Sequence, residues 1–335
     1  MASFLSLVNK VLVELNEPEL STSADLSSAA ATVGIQNTVK ENINKSIRDI
    51  ATSEVEWSYL IASGTSALTT GISEYTAPTA ANTIDWDSFI LLPTELITNG
   101  EFTSNITNWT ESSSGTGSAT YSSGSLSLAA GSGTSAVYQA VSLTRGRQYM
   151  VSFAMKNASE SGTAISPSLD VSVGTSALAT DVVTGTYTSA GGSNDEGDLS
   201  YHNFTFDASA TQHFLTIKNS TASSTVLVDN VSVKENFHPK SLKYLNEDEW
   251  RQRVASTDKH QNPDHFAEPD CVYRTTSSAT ALTFGVSPVP DKSSYTVEYD
   301  YYTAPTDLSG SDDTPSLPTR YHKYTYKSIA LAYKE

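Results

Sequence analysis

The stretch Ser294-Tyr295-Thr296-Val297-Glu298-Tyr299-Asp300-Tyr301-Tyr302 alternates apolar or aromatic side chains with polar ones along most of its length. Successive side chains of a β-strand point to opposite faces, so this alternation predicts a strand that buries one face. The run Pro288-Val289-Pro290-Asp291, just before it, is typical of a turn. Residues Ile84 to Leu91 predict a further strand, although their alternation is imperfect.

Helical periodicity marks both ends of the chain. Apolar residues from Leu5 to Leu15 recur at spacings of three and four, which predicts an amphipathic helix over residues 2–16. The same spacing from Val39 to Ile50 predicts a second helix over residues 25–52, and Thr319 is expected to start a third. The two ends therefore predict a mixed scaffold of helices and strands.

The middle of the chain, residues 93–237, differs from both ends because it is rich in Ser, Thr and Gly and low in charge. Short alternating runs separated by Gly and Ser turns predict a β-sandwich, with a jelly roll as the expected topology. The predicted strands are Leu126–Leu128, Val137–Val141, Tyr149–Ala154, Leu169–Val173, Tyr201–Phe206, Phe214–Ile217 and Val226–Val233. We therefore expect residues 1–92 and 238–335 to form one domain that residues 93–237 interrupt.

Composition argues against several classes of protein. The net charge of -17 argues against general nucleic-acid binding, which needs a basic surface, and no local basic patch is visible in the sequence. The single cysteine, Cys271, permits no internal disulfide. Lys10 and Glu14 interrupt the first apolar stretch, which no basic region precedes, so we expect neither a signal peptide nor a membrane span. Synthesis in a cytoplasm and no membrane partner follow as expectations.

No catalytic motif is visible, since the sequence lacks a P-loop, a nucleophile elbow, an HExxH motif and paired metal-binding cysteines. The acidic run Glu247-Asp248-Glu249 is a candidate pair of acid and base. Consecutive helical residues do not face one another, whereas Asn246 three residues before Glu249 is typical of a helix start. We therefore expect a helix start there, and a protein that is not an enzyme.

The borders of the middle segment carry a resemblance. The segment begins with Asn99-Gly100-Glu101-Phe102, followed by Trp109, and closes with Asp229-Asn230-Val231-Ser232-Val233. This pairing resembles carbohydrate-binding modules that have a galactose-binding-like jelly roll. The resemblance implies a structural calcium near the first and last strands, with Glu101 and Asp229 as ligands, and no other cofactor. Calcium takes about six to eight oxygens, so a metal-free sandwich edge is the alternative.

Aromatic side chains of the middle segment are candidates for sugar binding. In the resembling modules the Trp at the position of Trp109 is mostly a core residue, and a large aromatic is usually buried, so the core is favoured over a sugar platform. Tyr121, Tyr138, Tyr187 and Tyr201 are candidates for a sugar cleft. Tyrosine is equally common in strands, and the sequence does not show that the four side chains converge.

The flanks carry motifs along nearly all of their length. These motifs are Phe4–Glu19, Ile43–Ile50, Glu56-Trp57, Ile84–Phe89, Leu242–Leu245, Glu249-Trp250, Phe284–Asp291, Tyr295–Tyr302 and Asp313–Pro318. They resemble the head-to-tail adaptor proteins of short-tailed phages, the group similar to tail tubular protein A. The resemblance implies an α+β fold, a helical bundle with a small β-domain, which the inserted β-sandwich (jelly roll) interrupts.

The adaptor resemblance also implies a role and a location. It implies a structural protein of a phage virion that forms a ring, expected to be a dodecamer, at the head–tail junction. The portal protein and the tail nozzle protein are the expected partners, with tail fibre or capsid proteins as further partners. DNA is expected to pass through the lumen of the ring without specific binding. The alternative is a carbohydrate-binding decoration or receptor-binding protein of the virion.

Overall fold

The structure is a computed structural model that describes residues 3–20, 35–53, 57–158, 167–188, 199–256, 267–275, 281–326 and 329. Most of the secondary structure in these residues is β-strand: they form nineteen β-strands in four sheets and three α-helices. Within the same ranges, no helix combines the length and the apolar character needed to cross a membrane.

The three α-helices are α1 (Phe4–Glu14), α2 (Ile35–Ser53) and α3 (Glu247–Ser256), and 3-10 turns lie at Ser58–Leu60 and Thr319–Tyr321. Helices α1 and α2 bury their apolar stripes in one core, which also takes in Leu308 and Ile329. The helix predicted over 2–16 is confirmed. The helix predicted over 25–52 is confirmed from Ile35 onward, and residues 25–34 lie outside the described part of the chain.

Two β-sheets lie in the same parts of the chain as these helices. We call these two sheets and the three helices together the body. The first body sheet contains β1 (Ile61–Ala67), β3 (Ala81–Ile84), β4 (Ile90–Pro93), β15 (Lys240–Ser241) and β19 (Tyr295–Thr303). The second contains β2 (Glu74–Thr76), β16 (Lys243–Leu245), β17 (Cys271–Arg274) and β18 (Thr283–Ser287). Strand β19 pairs with β1, β3 and β4, so strands from both ends of the chain share one sheet.

Two further five-stranded sheets form a sandwich. The first sandwich sheet has the order β11-β10-β13-β8-β5 and contains β5 (Thr110–Glu111), β8 (Ser135–Ser142), β10 (Ser168–Gly174), β11 (Val183–Thr188) and β13 (Gln212–Asn219). The second has the order β12-β9-β14-β7-β6 and contains β6 (Ser118–Ser122), β7 (Ser125–Ala129), β9 (Gln148–Asn157), β12 (Ser200–Asp207) and β14 (Thr225–Glu235). All seven strands predicted in the middle segment are found, around one core that runs from Ile97 to Val233.

The expected helical bundle with a small β-domain is wrong. Nine strands in two sheets form a core of their own, and α1 and α2 form a separate core beside them. The physical reason is the period-two alternation in the flanks, which in β19 buries Tyr295, Val297 and Tyr299. These strands pack around stacked rings of Phe89 and Tyr299, whose centroids lie 4.8 Å apart. Helix α3 is short and charged, so it adds no apolar stripe to a bundle.

The single strand predicted from Ile84 to Leu91 is also wrong, because a turn divides it into β3 and β4. Ser88 donates to the carbonyl oxygen of Asp85 from its backbone N–H and its Oγ, at 3.3 and 2.6 Å. The N–H of Asp87 donates to Oδ1 of Asp85 at 3.2 Å. An aspartate that binds the backbone two residues on forms a turn, which explains the imperfect alternation.

The sandwich meets the body at a buried ion pair. Glu235, the last residue of β14, and Lys292, in the turn before β19, have side chains that are 5% and 6% exposed. The Lys292 ammonium donates to Oε1 of Glu235, and Ser294 Oγ donates to Oε2 at 2.8 Å. The ammonium also lies 4.6 Å from the ring centroid of Tyr295, a cation–π distance. Both buried charges therefore have partners.

Other contacts surround this ion pair. The N–H of Thr94 donates to the carbonyl oxygen of Ser294 at 2.9 Å, and Arg147 of the sandwich lies 3.6 Å from the Asp291 carboxylate. The chain therefore enters and leaves the sandwich beside the same part of the body, the turn before β19. The domain boundaries at 92/93 and 237/238 stay a prediction.

Replacing Lys292 with methionine is expected to lower the free energy of unfolding by about 3–5 kcal/mol, because Glu235 then stays buried without its countercharge. The double variant Lys292→Met/Glu235→Leu should recover most of that loss, since no charge remains buried. Denaturant unfolding measures both values. The exposed pair of Arg251 and Glu247 supplies the control, because Arg251→Met should change stability little. A Lys292→Met variant as stable as the parent contradicts the assignment.

Candidate functional site

The first candidate site is a cleft where the start of the middle segment meets its last strand. The N–H of Val231 donates to the carbonyl oxygen of Gly100 at 2.9 Å. A Cβ on Gly100 would lie 1.9 Å from the Val231 oxygen, so only glycine permits this approach. Asn99 and Asn230 both adopt left-handed backbone, with φ of 57° and 52°. These motif residues thus explain the close contact of the two segments.

One carboxylate of this cleft already has its partners. Oε1 of Glu95 accepts from the N–H groups of Ile97 and Val233, both at 2.9 Å. Its Oε2 accepts from Ser232 Oγ at 2.5 Å, and the Lys234 ammonium lies 3.7 Å from it. Glu95 therefore fastens the start of the segment, residues 95–97, to its last strand, β14.

The two predicted calcium ligands, Glu101 and Asp229, do lie near each other. Burial raises the pKa of Asp229, the N–H of Asn230 lowers it, and the Glu101 charge raises it again. Asp229 Oδ1 accepts from that N–H at 2.7 Å. Among the described residues, no group of three or more His, Cys, Asp or Glu side chains is arranged to hold a metal. Backbone and amide oxygens would have to supply most ligands, so the calcium site stays a prediction.

The aromatic residues considered for sugar binding do not converge. Tyr121 on β6 and Tyr201 on β12 lie at opposite edges of the second sandwich sheet. Tyr138 lies on the other sheet, and Tyr187 packs against the core residue Phe153 at 5.0 Å between ring centroids. The predicted tyrosine cleft is therefore not formed by these four side chains.

Trp109 is a core residue, as the sequence favours. Its side chain is 7% exposed and packs beside Phe102, with ring centroids 5.7 Å apart. Its Nε1–H donates to the carbonyl oxygen of Asn99 at 3.1 Å. A buried tryptophan whose N–H is bonded stabilises the fold and offers no free platform.

A second candidate site, not predicted from the sequence, is a groove on the outer face of the first sandwich sheet. Its volume is about 390 Å³. The floor contains two cross-strand pairs of β10 and β13, Ser172 with Thr216 and Asp170 with Lys218. Their polar side chains alternate with core residues along both strands, and this period-two pattern is the signal in the sequence. Which of these polar side chains lie side by side depends on the strand register, and the sequence does not give that register.

A loop closed by hydrogen bonds forms one wall of the groove. Asp181 accepts from the N–H and Oγ1 of Thr175 at 2.9 and 2.6 Å, which closes the loop and lowers the pKa of Asp181. Leu178, 43% exposed, lines the groove from this loop and has a φ of 64°. Backbone strain of this kind at a non-glycine residue concentrates at binding sites. The groove thus combines an apolar wall with a hydroxyl-rich, charged floor.

The acidic run Glu247-Asp248-Glu249 starts helix α3, as predicted. The N–H of Glu249 donates to Oδ1 of Asn246 at 3.0 Å, and the N–H of Asn246 donates to Oε2 of Glu249 at 3.2 Å. This reciprocal arrangement is a capping box. The Asn246 N–H and Lys243 lower the pKa of Glu249.

Comparison with protein families finds a match over part of the chain. Residues 197–334 match the family described as SU10 adaptor protein, a phage head–tail adaptor family. The matched range begins just before β12 of the sandwich and includes β15 to β19 of the body. This match supports a phage structural adaptor role. No curated protein matches the chain.

Solved structures show weaker similarity. The chain is 18% identical to "CBM4 structure and function" at a TM-score of 0.34, covering 42% of this chain and 99% of that one. It is 16% identical to the tailspike protein 4 enzymatically active domain of bacteriophage CBA120, at a TM-score of 0.31, covering 42% of this chain and 21% of that one. "Family 16 Carbohydrate Binding Module-2" is 17% identical at a TM-score of 0.29, with 41% and 98% covered. Similarity at this level assigns no function.

The cleft predicts that Asp229→Asn changes how stability responds to pH and to calcium. Because the folded-state pKa of Asp229 is raised, its ionised form destabilises the fold at pH 7, and the cost vanishes below the unfolded pKa of about 3.9. Without calcium, Asp229→Asn should therefore raise the Tm at pH 7 and not at pH 3. With calcium, the parent should gain stability and Asp229→Asn should not.

Differential scanning calorimetry measures these Tm values. The exposed Asp207→Asn, at the end of β12, is the control and should respond to calcium as the parent does. A parent Tm that calcium leaves unchanged would establish the metal-free sandwich edge.

Proposed function

We propose that this chain is a structural adaptor of a phage virion, without catalytic activity, located at the head–tail junction between the portal protein and the tail nozzle protein. The observation that supports it is the family match over residues 197–334, which includes the last five strands of the body. In this proposal copies form a ring, a dodecamer, and DNA passes through its lumen without specific binding. The sandwich lies at the periphery of the ring, where tail fibre or capsid proteins can contact it.

The shape of the body is compatible with assembly. Its described core is divided between a two-helix cluster and two small sheets. Such modest cores gain stability from large contacts between subunits. The net charge of -17 keeps free subunits soluble and makes the surface as a whole unsuitable for gripping DNA.

The purified full-length chain, alone and with the portal protein of the same phage, tests the proposal. Light scattering after size-exclusion chromatography should give the mass of a closed oligomer, and electron microscopy should show rings seated on the portal. A chain that stays monomeric with and without the portal would contradict the adaptor function.

We infer a second candidate function, carbohydrate binding by the sandwich, from the groove. Sugar hydroxyls both donate and accept hydrogen bonds, and the floor offers an acceptor in Asp170 and a donor in Lys218. Oδ1 and Oδ2 of Asp170 already accept from Thr186 and Ser220, at 2.7 and 3.1 Å, which fixes the carboxylate in place. Leu178 offers an apolar contact for a sugar ring face.

A glycan array probed with the full-length chain tests this second function. Binding to a glycan should be lost in the variant Asp170→Asn/Lys218→Met and kept in the control Asp207→Asn/Arg145→Met, which removes one carboxylate and one cation outside the groove. Both variants should unfold at the temperature of the parent within a few degrees. An array without signal, or binding that survives in the groove variant, would contradict carbohydrate binding in the groove.

A further inference from the structure

The C-terminal helical segment, residues 319–326, presents a cationic face to solvent. Arg320, Lys323 and Tyr324 are exposed at spacings of three and four, so they lie on one side of the segment; we call these three residues the cationic stripe. Lys323 lies 4.9 Å from the ring centroid of Tyr324, and Arg320 lies 4.8 Å from that of Tyr321. Tyr321 packs in turn against Trp57, which fixes the segment to the body.

The cationic stripe is opposite in charge to the chain as a whole. Between Thr314 and Lys334 the sequence has no Asp or Glu, although the net charge is -17. Neither Arg320 nor Lys323 forms an ion pair with the described residues. The sequence shows no basic patch because Tyr321 and His322 separate the two cations, which meet only on the folded segment.

A complementary surface lies on the outer face of the first body sheet. Glu298 and Asp300 of β19 point to this face, opposite the buried Val297 and Tyr299. Glu298 pairs in register with Ile90, so these side chains are neighbours on one face. We call Glu298, Asp300, Ile61 and Ile90 the acidic sheet face.

The acidic sheet face is partly exposed to solvent, with Glu298 and Asp300 half-buried. Ile61 and Ile90 are 44% and 38% exposed, and neither carboxylate of the face forms an ion pair within the part of the chain described. Asp300 Oδ1 accepts a hydrogen bond from Ser63 Oγ at 2.7 Å. Exposed isoleucines beside unpaired carboxylates are suited to a partner that brings both cations and apolar contact.

A second copy of this chain is the partner that fits. Copies that each carry a net charge of -17 repel one another, so a stable contact needs local pairing of opposite charges. The cationic stripe and the acidic sheet face belong to different elements of the body. A contact between them is therefore heterologous, one patch against a different patch, and such contacts generate rings when the rotation closes.

We propose that the cationic stripe of one copy docks on the acidic sheet face of the next. Arg320 and Lys323 pair with Glu298 and Asp300 of the neighbour, and Tyr324 covers the exposed isoleucines. The inference rests on the proposed ring and names the surfaces that form it. DNA is the competing occupant of a cationic stripe, and the test separates it from a second copy.

Charge reversal and its rescue test the contact in the full-length chain. Arg320→Glu/Lys323→Glu and, separately, Glu298→Lys/Asp300→Lys should each raise the concentration for half-assembly by about tenfold or more. The four-residue swap, which restores opposite charges across the contact, should return assembly to within about threefold of the parent. Arg145→Glu/Arg274→Glu reverses two exposed arginines elsewhere and should leave assembly unchanged. Light scattering across a dilution series, at low and high salt, measures all five proteins.

The outcomes separate this inference from the function on which it rests. Rings that form equally well in both charge-reversed variants would overturn the inference and leave the adaptor function intact. A swap variant that folds, by circular dichroism, but fails to assemble would also overturn it. Loss of DNA retention without loss of assembly in Arg320→Glu/Lys323→Glu would assign the stripe to nucleic acid instead. A parent chain that never assembles would overturn both proposals.

Discussion

The buried charges of Glu235 and Lys292 constrain how the two parts of the molecule meet. An ion in a protein interior is stable only beside its countercharge, so the end of β14 must lie against the turn that precedes β19. Ser294 satisfies the second carboxylate oxygen of Glu235. The other contacts at this border, such as Arg147 with Asp291, are half-exposed and act around the pair. The position of the sandwich on the body follows from this interaction.

Strand β19 organises the body that carries the sandwich. Its pairing with β1, β3 and β4 joins the first flank to the second. Its inner face supplies Tyr295 and Tyr299 to the core, and its outer face carries Glu298 and Asp300. One strand therefore connects the core, the border with the sandwich and the proposed contact between copies. In the adaptor proposal the body assembles while the groove of the sandwich stays accessible to other molecules.

Local patterns predicted local structure well. The alternation around Tyr299 correctly predicted β19, and the apolar spacing from Leu5 correctly predicted α1. Asn246 and Glu249 correctly predicted the start of α3. The architecture of the body was predicted wrongly as a helical bundle, because that expectation came from a family resemblance and outweighed the alternating runs of the flanks. The groove depends on the register that sets Asp170 beside Lys218, and the cationic stripe depends on a helical turn; neither follows from spacing along the chain alone.

Deletion of the sandwich tests most directly whether the two flanks form one folding unit. A variant that lacks residues 96–234, with a short Gly/Ser linker in their place, keeps Glu235, Lys292 and all nine strands of the body. It should unfold in one cooperative thermal transition, measured by circular dichroism, and assemble to the same number of subunits as the parent. A variant without a cooperative transition, or with the spectrum of an unfolded chain, would contradict the account.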